Sequence, residues 1–433
     1  MYSCMQIIAD IENGAMDERL RRLYALGPDE PVPERIKRRY IETVARYMER
    51  FSAPPESPIM MFSAPGRTEV GGNHTDHQHG RVLCAGVDLD MLACAAPNGG
   101  GYIKVASEGY APFSVAAGGS LPDKALFNSS PALVAGLASA VAERGYEVIG
   151  LDVYVCSDIP LGSGLSSSAA YEVLMGSVLN YFCCGSELSP VELACIGQYA
   201  ENVFFGKPCG LMDQVASAIG ELSAIDFLTP SRPAIESLSC DLGDYGYALC
   251  IIDTGADHSD LTADYGAIPG ELAMISSHFG KSSLREVDEQ SFYRRVPELR
   301  ACAGDRAVLR AIHIFEENRR VERQVSALRK GDFGEFLRAV SDSGRSSWMY
   351  LQNVIPCGAY KKQEVALALA LCERLLAGRG ASRVHGGGFA GTVQAFVPLE
   401  MLEDFRRGME EALGVGCVRV LRFRAVGGCA IEP

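Results

Sequence analysis

The chain of 433 residues is 48% hydrophobic and 22% charged, enough to bury a large core, and its length predicts two or three domains. A formal charge of −14 excludes an undirected grip on nucleic acid or an anionic membrane, so any phosphate ligand must be held by local chemistry. Fifteen cysteines, among them Cys4, Cys84, Cys183, Cys184, Cys209 and Cys429, are scattered without a CxxC pair, which reads as reduced, mostly buried thiols.

The start, "MYSCMQIIADIENGAMDERL", has neither the basic residues nor the apolar run of a secretory leader, and no 18-residue apolar window occurs, so a cytoplasmic protein is expected. In "PERIKRRYIETVARYMERF", Ile36, Tyr40, Val44, Tyr47, Met48 and Phe51 recur at helical spacing beside Lys37, Arg38 and Arg39. This predicts a docking helix with a solvated basic face. "SAPPESP" then breaks the chain, and the main fold is expected to start near residue 58. "VLCAGVDLDMLACAA" and "YIKVAS" read as strands and "PALVAGLASAVAERG" as a helix. Leu151, Val153 and Val155 alternate as in a strand, a Gly/Ser loop follows, and Leu174, Met175, Val178, Leu179 and Phe182 recur as in a helix. After "YALCIIDTG" comes the long helical "LRAIHIFEENRRVERQVSALRKGDF". The chain closes on "EVALALALCERLLAG", "RVHGGGFAGTVQAFV", "LEMLEDFRRGMEEALG" and "VRVLRFRAV". That alternation predicts an α+β second domain with a mainly antiparallel sheet.

Four segments carry candidate chemistry. "PLGSGLSSSAA" (160–170) would aim backbone N–H groups and a helix N-terminus at one point, as an ATP phosphate needs, with Gly162 and Gly164 admitting close approach. The plainer reading is a flexible turn with a Ser cap. No Walker A sequence with its Lys exists, which excludes an ordinary P-loop protein. "AENVFFGKPCGLMDQVAS" sets Glu201 twelve residues before Asp213, near enough for one cleft; the alternative is an acidic residue at a helix start. "GGGFAG" (386–391) fits GxGxxG, but the strand-like "TVQAFV" follows it in place of a helix, which excludes a dinucleotide fold. "APGRTEVGGNHTDHQHG" (64–80) holds three of the seven histidines. His74, Asp76, His77 and His79 have the donor types of a zinc site, but not the spacing of a helical zinc motif, and no second ligand cluster accompanies them.

Together these segments resemble the GHMP small-molecule kinases and, among them, the galactokinase family. That family carries APGRVNLIGEHTDY near its start, P-L-G-x-G-L-S-S-S-A at its phosphate loop, A-E-x-x-F-x-G-x-x-C-G-I-M-D-Q, and G-x-G-F-x-G near its end. All four stand here in order, and the likeness extends to "VASEGY", "DTGADHSDLTADY" and "RAIHIFEENRRV", from about residue 58 onward. The resemblance implies a two-domain, GHMP-kinase-like α+β fold: a helical extension over 1–57, a mixed α/β domain over 58–230 that binds sugar and ATP phosphates, and a ferredoxin-like α+β domain over 231–433. It implies ATP- and Mg²⁺-dependent phosphorylation of the anomeric hydroxyl of a monosaccharide, galactose first, with no nucleic-acid or membrane partner.

By the same resemblance Arg67 and Asp213 are the catalytic pair, Asp213 taking the proton of the anomeric hydroxyl; a neighbouring Arg favours the carboxylate and stabilises charge on a transferring phosphoryl group. Ser168 and Glu201 fall on the Mg²⁺ positions. Gly162, Ser163, Gly164, Leu165, Ser166, Ser167 and Ser168 would cradle the nucleotide phosphates, and Ser107 matches a nucleotide contact. Asn73, His74, Thr75, Asp76, Gly210 and Tyr265 fall on sugar-contacting positions. The chain departs from the family where the Glu of G-E-H-T-D is Asn73, the Tyr after the Asp is His77, and a paired Arg becomes Ile268 and Pro269. These changes spare the phosphoryl-transfer residues and bear on which sugar is taken. The alternatives are a kinase for a 6-deoxy sugar, pentose, uronic acid or N-acetylgalactosamine, and a sugar- and ATP-binding sensor without turnover. Intact Arg67, Asp213, Ser168 and Glu201 favour the enzyme.

Overall fold

Apolar residues stand at successive positions of "IMMF" and "LACAA", so these strands must be buried on both faces. The computed structural model, which describes residues 1–160, 162–256 and 261–432, shows how. The chain starts with strand β1 (Tyr2–Ser3) and helices α1 (Cys4–Glu12), α2 (Asp17–Leu23) and α3 (Glu34–Phe51). It continues through β2 (Pro58–Gly71), β3 (Arg81–Pro97), β4 (Tyr102–Ser107), β5 (Phe113–Ala116), α4 (Ser130–Glu143) and β6 (Leu151–Ser157). Then come α5 (Ser167–Cys183), α6 (Pro190–Tyr199), α7 (Met212–Ile219), β7 (Leu222–Asp226) and β8 (Ala234–Leu238). Among the described residues these strands join one nine-stranded sheet, ordered β1-β2-β3-β6-β4-β5 with β7 on β3 and β8 on β7.

The two-residue period divides the sheet between two cores. Met60, Phe62, Ala93, Ala95, Val153 and Val155 pack with α4, α5 and α7, whereas Ile59, Met61, Leu92, Cys94, Tyr154 and Cys156 pack with α1, α2 and α3. The expected docking face of α3 therefore covers the second face of the sheet through Ile36, Tyr40, Val44 and Tyr47. At the centre of this layer lies Asp90, fully buried, accepting from Arg39 Nη1 at 2.5 Å, Arg424 Nη1 at 3.0 Å, the Tyr24 hydroxyl at 3.0 Å and the Ser63 hydroxyl.

The second half comprises β9 (Tyr247–Asp253), α8 (Thr262–His278), α9 (Glu289–Arg294), α10 (Val296–Arg329, broken at Gly304, φ +86°) and α11 (Phe333–Ser346). It ends with α12 (Glu364–Leu376), β10 (Ala381–Val384), β11 (Thr392–Pro398), α13 (Leu402–Leu413), β12 (Val418–Leu421) and β13 (Cys429–Ile431). The second sheet is antiparallel, as expected, in the order β10-β11-β9-β12, which is the ferredoxin-like arrangement with α12 and α13 on one face. Leu249, Ile251 and Phe396 on its other face join the core of the first sheet. Pairing also crosses the expected boundaries: β8 lies on β7, and β13 returns to pair with β2.

Candidate active site

The site begins with an irregularity in β2. Its register against β3 slips between Pro65 and Arg67 and again between Glu69 and Gly71, and such bulges re-aim side chains. Arg67 grips Asp213, at the first turn of α7, with Nε 2.6 Å from Oδ1 and Nη2 2.8 Å from Oδ2. Its Nη1 donates to the Gly164 carbonyl and its backbone N–H to the Leu165 carbonyl. Ser166, held at φ +53°, donates its hydroxyl to Asp213 Oδ2. Burial pushes the Asp213 carboxyl up, but Arg67 and Ser166 more than offset this and hold it below the usual carboxylate range. The Asp213 side chain stays 32% exposed, so an ionised carboxylate faces solvent.

Three successive carbonyls of the Gly-rich turn hold the neighbouring groups. Gly386 O accepts from Asn73 Nδ2 at 2.7 Å, Gly387 O from His74 Nε2 at 3.0 Å and Gly388 O from the Tyr265 hydroxyl at 2.7 Å. Donation by Nε2 leaves the His74 lone pair on Nδ1, and burial pushes this imidazole down to about 3, so it is neutral. A Cβ on Gly210 would lie 1.9 Å from Asp76 Oδ2, so only glycine lets that carboxylate occupy its place. Arg67, Asp213, His74, Asp76, Gly210 and Tyr265 line one cavity of about 850 Å³, a size ordinary for small-molecule sites.

Asn73 and Thr75 require correction, because neither lines this cavity and both are fully buried. Asn73 donates to Glu69 Oε1 and Gly386 O and accepts from Ser347 and Asn353, which uses every polar position of its amide. The Thr75 hydroxyl is spent on the Gly72 and Arg81 carbonyls. Of the departures, Ile268 is buried against α10, whereas His77 and Pro269 reach the cavity. Among the described residues, no group of three His, Cys, Asp or Glu side chains is arranged to hold a metal ion.

The phosphate-loop residues converge on the start of α5. Gly162 and Gly164 have φ of +72° and +69°, which favours glycine, and a Cβ on Gly164 would stand 2.9 Å from Thr392 Oγ1. Ser163 bonds the Pro160 carbonyl, and the Leu165 side chain is buried in the core. Among the described residues, the N–H groups of Ser167, Ser168 and Ala169 find no backbone partner, as expected of a first helical turn. Ser107 ends β4 opposite Val155 of β6, at the end of the sheet where this loop departs. Leu161 of the loop and residues 257–260 of "DTGADHSDLTADY" lie outside the described residues.

Glu201 sits on a π-helical turn (Ala200–Phe205), almost fully buried, bonded to Lys207 Nζ at 3.2 Å and Gln214 Nε2 at 3.0 Å. The same Gln214 amide reaches Glu172, whose carboxyl is pushed well up by burial and by Glu201 beside it. Ser168 is half-buried at the first turn of α5. Three groups at the cavity escaped sequence reading: Glu69, Lys207 and the carbonyls of the Gly-rich turn. The GGGFAG run marked the last of these; Glu69 and Lys207 carried no signal of their own.

Comparison with known proteins agrees with this geometry. The signature described as the galactokinase galactose-binding signature matches residues 45–97, and the GHMP kinases N terminal domain matches residues 132–221. The galactokinase of Actinobacillus pleuropneumoniae is 31% identical over 355 residues, spanning 79% of this chain and 86% of that protein. The chain belongs to the galactokinase family. The galactokinase of Streptomyces coelicolor is 30% identical over 389 residues, spanning 88% and 95% of the two chains. The crystal structure of Lactococcus lactis galactokinase in complex with galactose shares the fold, with a TM-score of 0.76 and 23% identity over 89% of this chain and 98% of that one. The two signatures of this galactokinase-family chain contain Arg67 and Asp213 respectively, and the chain is a sugar kinase of the GHMP class.

Proposed function

We propose that this chain transfers the γ-phosphoryl group of ATP to the anomeric hydroxyl of galactose, with Arg67 and Asp213 at the reacting centre. The observation that carries the reading is the bidentate Arg67–Asp213 pair in a cavity that also holds His74 and Asp76 and abuts the start of α5 through Ser166. The N-terminus of α5, with its unpaired N–H groups, suits the nucleotide phosphates. Asp213, held ionised, accepts the anomeric proton. A carboxylate of such low basicity takes a proton from an alcohol only as the new O–P bond forms, so proton and phosphoryl transfer run together. Arg67 fixes the carboxylate and sets positive charge beside the transferring group. Lys207 at the cavity adds a second cation.

Ser168 and Glu201 offer hard oxygen donors, and a metal ion at Glu201 would take the place of the Lys207 ammonium that now pairs with its carboxylate. These residues fit Mg²⁺, which would neutralise charge on the phosphate oxygens. All fifteen cysteines are free thiols, in keeping with the reducing cytoplasm.

The test is ADP release with ATP, Mg²⁺ and a panel of galactose, 6-deoxygalactose, arabinose, N-acetylgalactosamine and galacturonate, with phosphorus NMR of the product. Galactose is expected to be turned over best, giving an anomeric phosphate. Turnover of another sugar in preference would overturn the substrate, and binding without any ADP release would identify a sensor.

A further inference from the structure

The sugar cavity contains a carboxylate that the motif does not assign. Glu69 is 3% exposed and lines the cavity. Its Oε1 is occupied twice, by Arg383 Nη2 at 2.5 Å and by Asn73 Nδ2 at 3.0 Å. Its Oε2 accepts no hydrogen bond among the described residues. This oxygen is not sealed in the interior: it remains open at the cavity wall, where a hydroxyl donor can reach it. Arg383, fully buried on β10, anchors the other oxygen and prevents the side chain from turning away.

The position has a second property. The motif Arg-Val-Asn-Leu-Ile-Gly-Glu-His-Thr-Asp places an amide where this chain has Glu69 and a carboxylate where it has Asn73. The two groups have changed places, and they are bonded to each other. The carboxylate thus stands four residues earlier in the chain than in the motif. Asn73 has no polar position left for a ligand, so the carboxylate contact to substrate is displaced to Glu69.

Building on the galactose-kinase reading above, we infer that Glu69 is a specificity-determining residue whose Oε2 accepts a hydrogen bond from one non-reacting hydroxyl of the sugar. Arg383 and Asn73 are positioning residues for it. The neighbouring acceptors, His74 Nδ1 and the Asp76 carboxylate, give this wall an acceptor-rich surface suited to a polyol. A sugar that lacks the hydroxyl facing Glu69 would leave the carboxylate unpaired and be rejected.

The experiment pairs side-chain and substrate changes in the full chain. Glu69→Gln is expected to raise the galactose KM about fivefold or more with the ATP KM unchanged, since a neutral acceptor binds a hydroxyl less tightly than a charged one. Among 2-, 3-, 4- and 6-deoxygalactose, one analogue should suffer a larger loss with the wild type than with Glu69→Gln, a coupling that a merely structural role would not produce. Asn73→Glu alone sets two carboxylates against each other and should reduce activity sharply, while the exchange E69N/N73E should recover most of the sugar affinity. If Glu69→Gln folds poorly, the exchange decides: folded protein without recovered sugar KM would make the pair structural and overturn the inference. An unchanged galactose KM in Glu69→Gln, with equal losses for every deoxy analogue, would also overturn it while leaving the galactose-kinase reading intact. A wild type that turns over no sugar would sink both.

Discussion

Two aspartates bound to arginine lie on opposite sides of the first sheet, and they do different work. Asp90 and Asp213 are both pushed up by burial and pulled down further by guanidinium groups, so both stay ionised. Charge state therefore cannot separate them. Access does: Asp90 is fully buried and both its oxygens are surrounded by donors from Tyr24 just after α2, from α3, from β2 and from the C-terminal segment, whereas the Asp213 side chain is 32% exposed and lines a cavity. One carboxylate locks a helical layer to a sheet. The other has been left a face for a ligand.

The comparison breaks if the two residues fail in the same way. Asp213→Asn is expected to lower kcat by about 10²- to 10⁴-fold, the range for loss of a positioned proton acceptor, with little change in the unfolding midpoint. Sugar-dependent ADP release and a denaturant melt measure the two quantities. Asp90→Ala leaves Arg39 and Arg424 without their buried partner and should cost about 3 to 5 kcal/mol of stability. The kcat per folded molecule should stay near wild type. A catalytic defect in folded Asp90→Ala, or a collapsed fold in Asp213→Asn, would abolish the distinction.

The sequence made the Asp213 half legible because its residues sit in contiguous motifs. Arg67 and Asp213 are 146 positions apart, yet each lies in a run with its own pattern. Glu69 was not legible, since an acidic residue in a strand-like run says nothing about a bulge that turns it toward a cavity. Asn73 reads as a contact because it stands at the Glu position of the family motif; its burial follows from a hydroxyl, an amide and a carbonyl contributed by residues 347, 353 and 386. The layer locked by Asp90 was half legible. α3 shows helical spacing, but α1 and α2 are short, and the Arg424 contact to Asp90 spans 334 positions. β8 and β13 likewise join the first sheet from beyond the expected boundary, because strand pairing ignores distance along the chain.

A steric test sharpens the open half of the comparison. Gly210→Ala would push its methyl into Asp76 Oδ2, which the glycine approaches without any unusual φ. If Asp76 holds a sugar hydroxyl, the galactose KM should rise about 10- to 100-fold, equivalent to losing a hydrogen bond to a charged group. The ATP KM should not move. Equal effects on both substrates would indicate that α7, and with it Asp213, had shifted.

The same contrast between locked and open groups separates two histidines, and pH reads it. His74 keeps Nδ1 unbonded at the cavity, whereas His313 on α10 donates Nε2 to the Asn73 carbonyl and accepts at Nδ1 from the Ser346 hydroxyl. Arg320 Nη2 donates to that same hydroxyl oxygen, which turns the hydroxyl hydrogen toward Nδ1 and sets a fixed positive charge close to the ring. Burial pushes His313 down to about 4; Glu317 raises it, and Arg320 and Arg383 lower it. An unfolded histidine titrates near 6.5. The folded value is the lower one, so this stabilisation is complete above about pH 6.5 and is lost as pH falls toward 4, because only the unfolded chain takes up the proton. Between about pH 6 and pH 5 the wild type should lose about 1.2 kcal/mol more than His313→Gln, whatever the absolute stability of the variant. Groups such as Asp88, pushed up to about 6, act with the opposite sign but equally in both chains, and cancel in the difference. Denaturant melts across that range measure the two slopes, and parallel curves would show that His313 is not held neutral. Saturating galactose should raise both curves without altering the difference, since a locked imidazole offers the ligand nothing; a sugar-dependent change in slope would move His313 to the open side of the comparison.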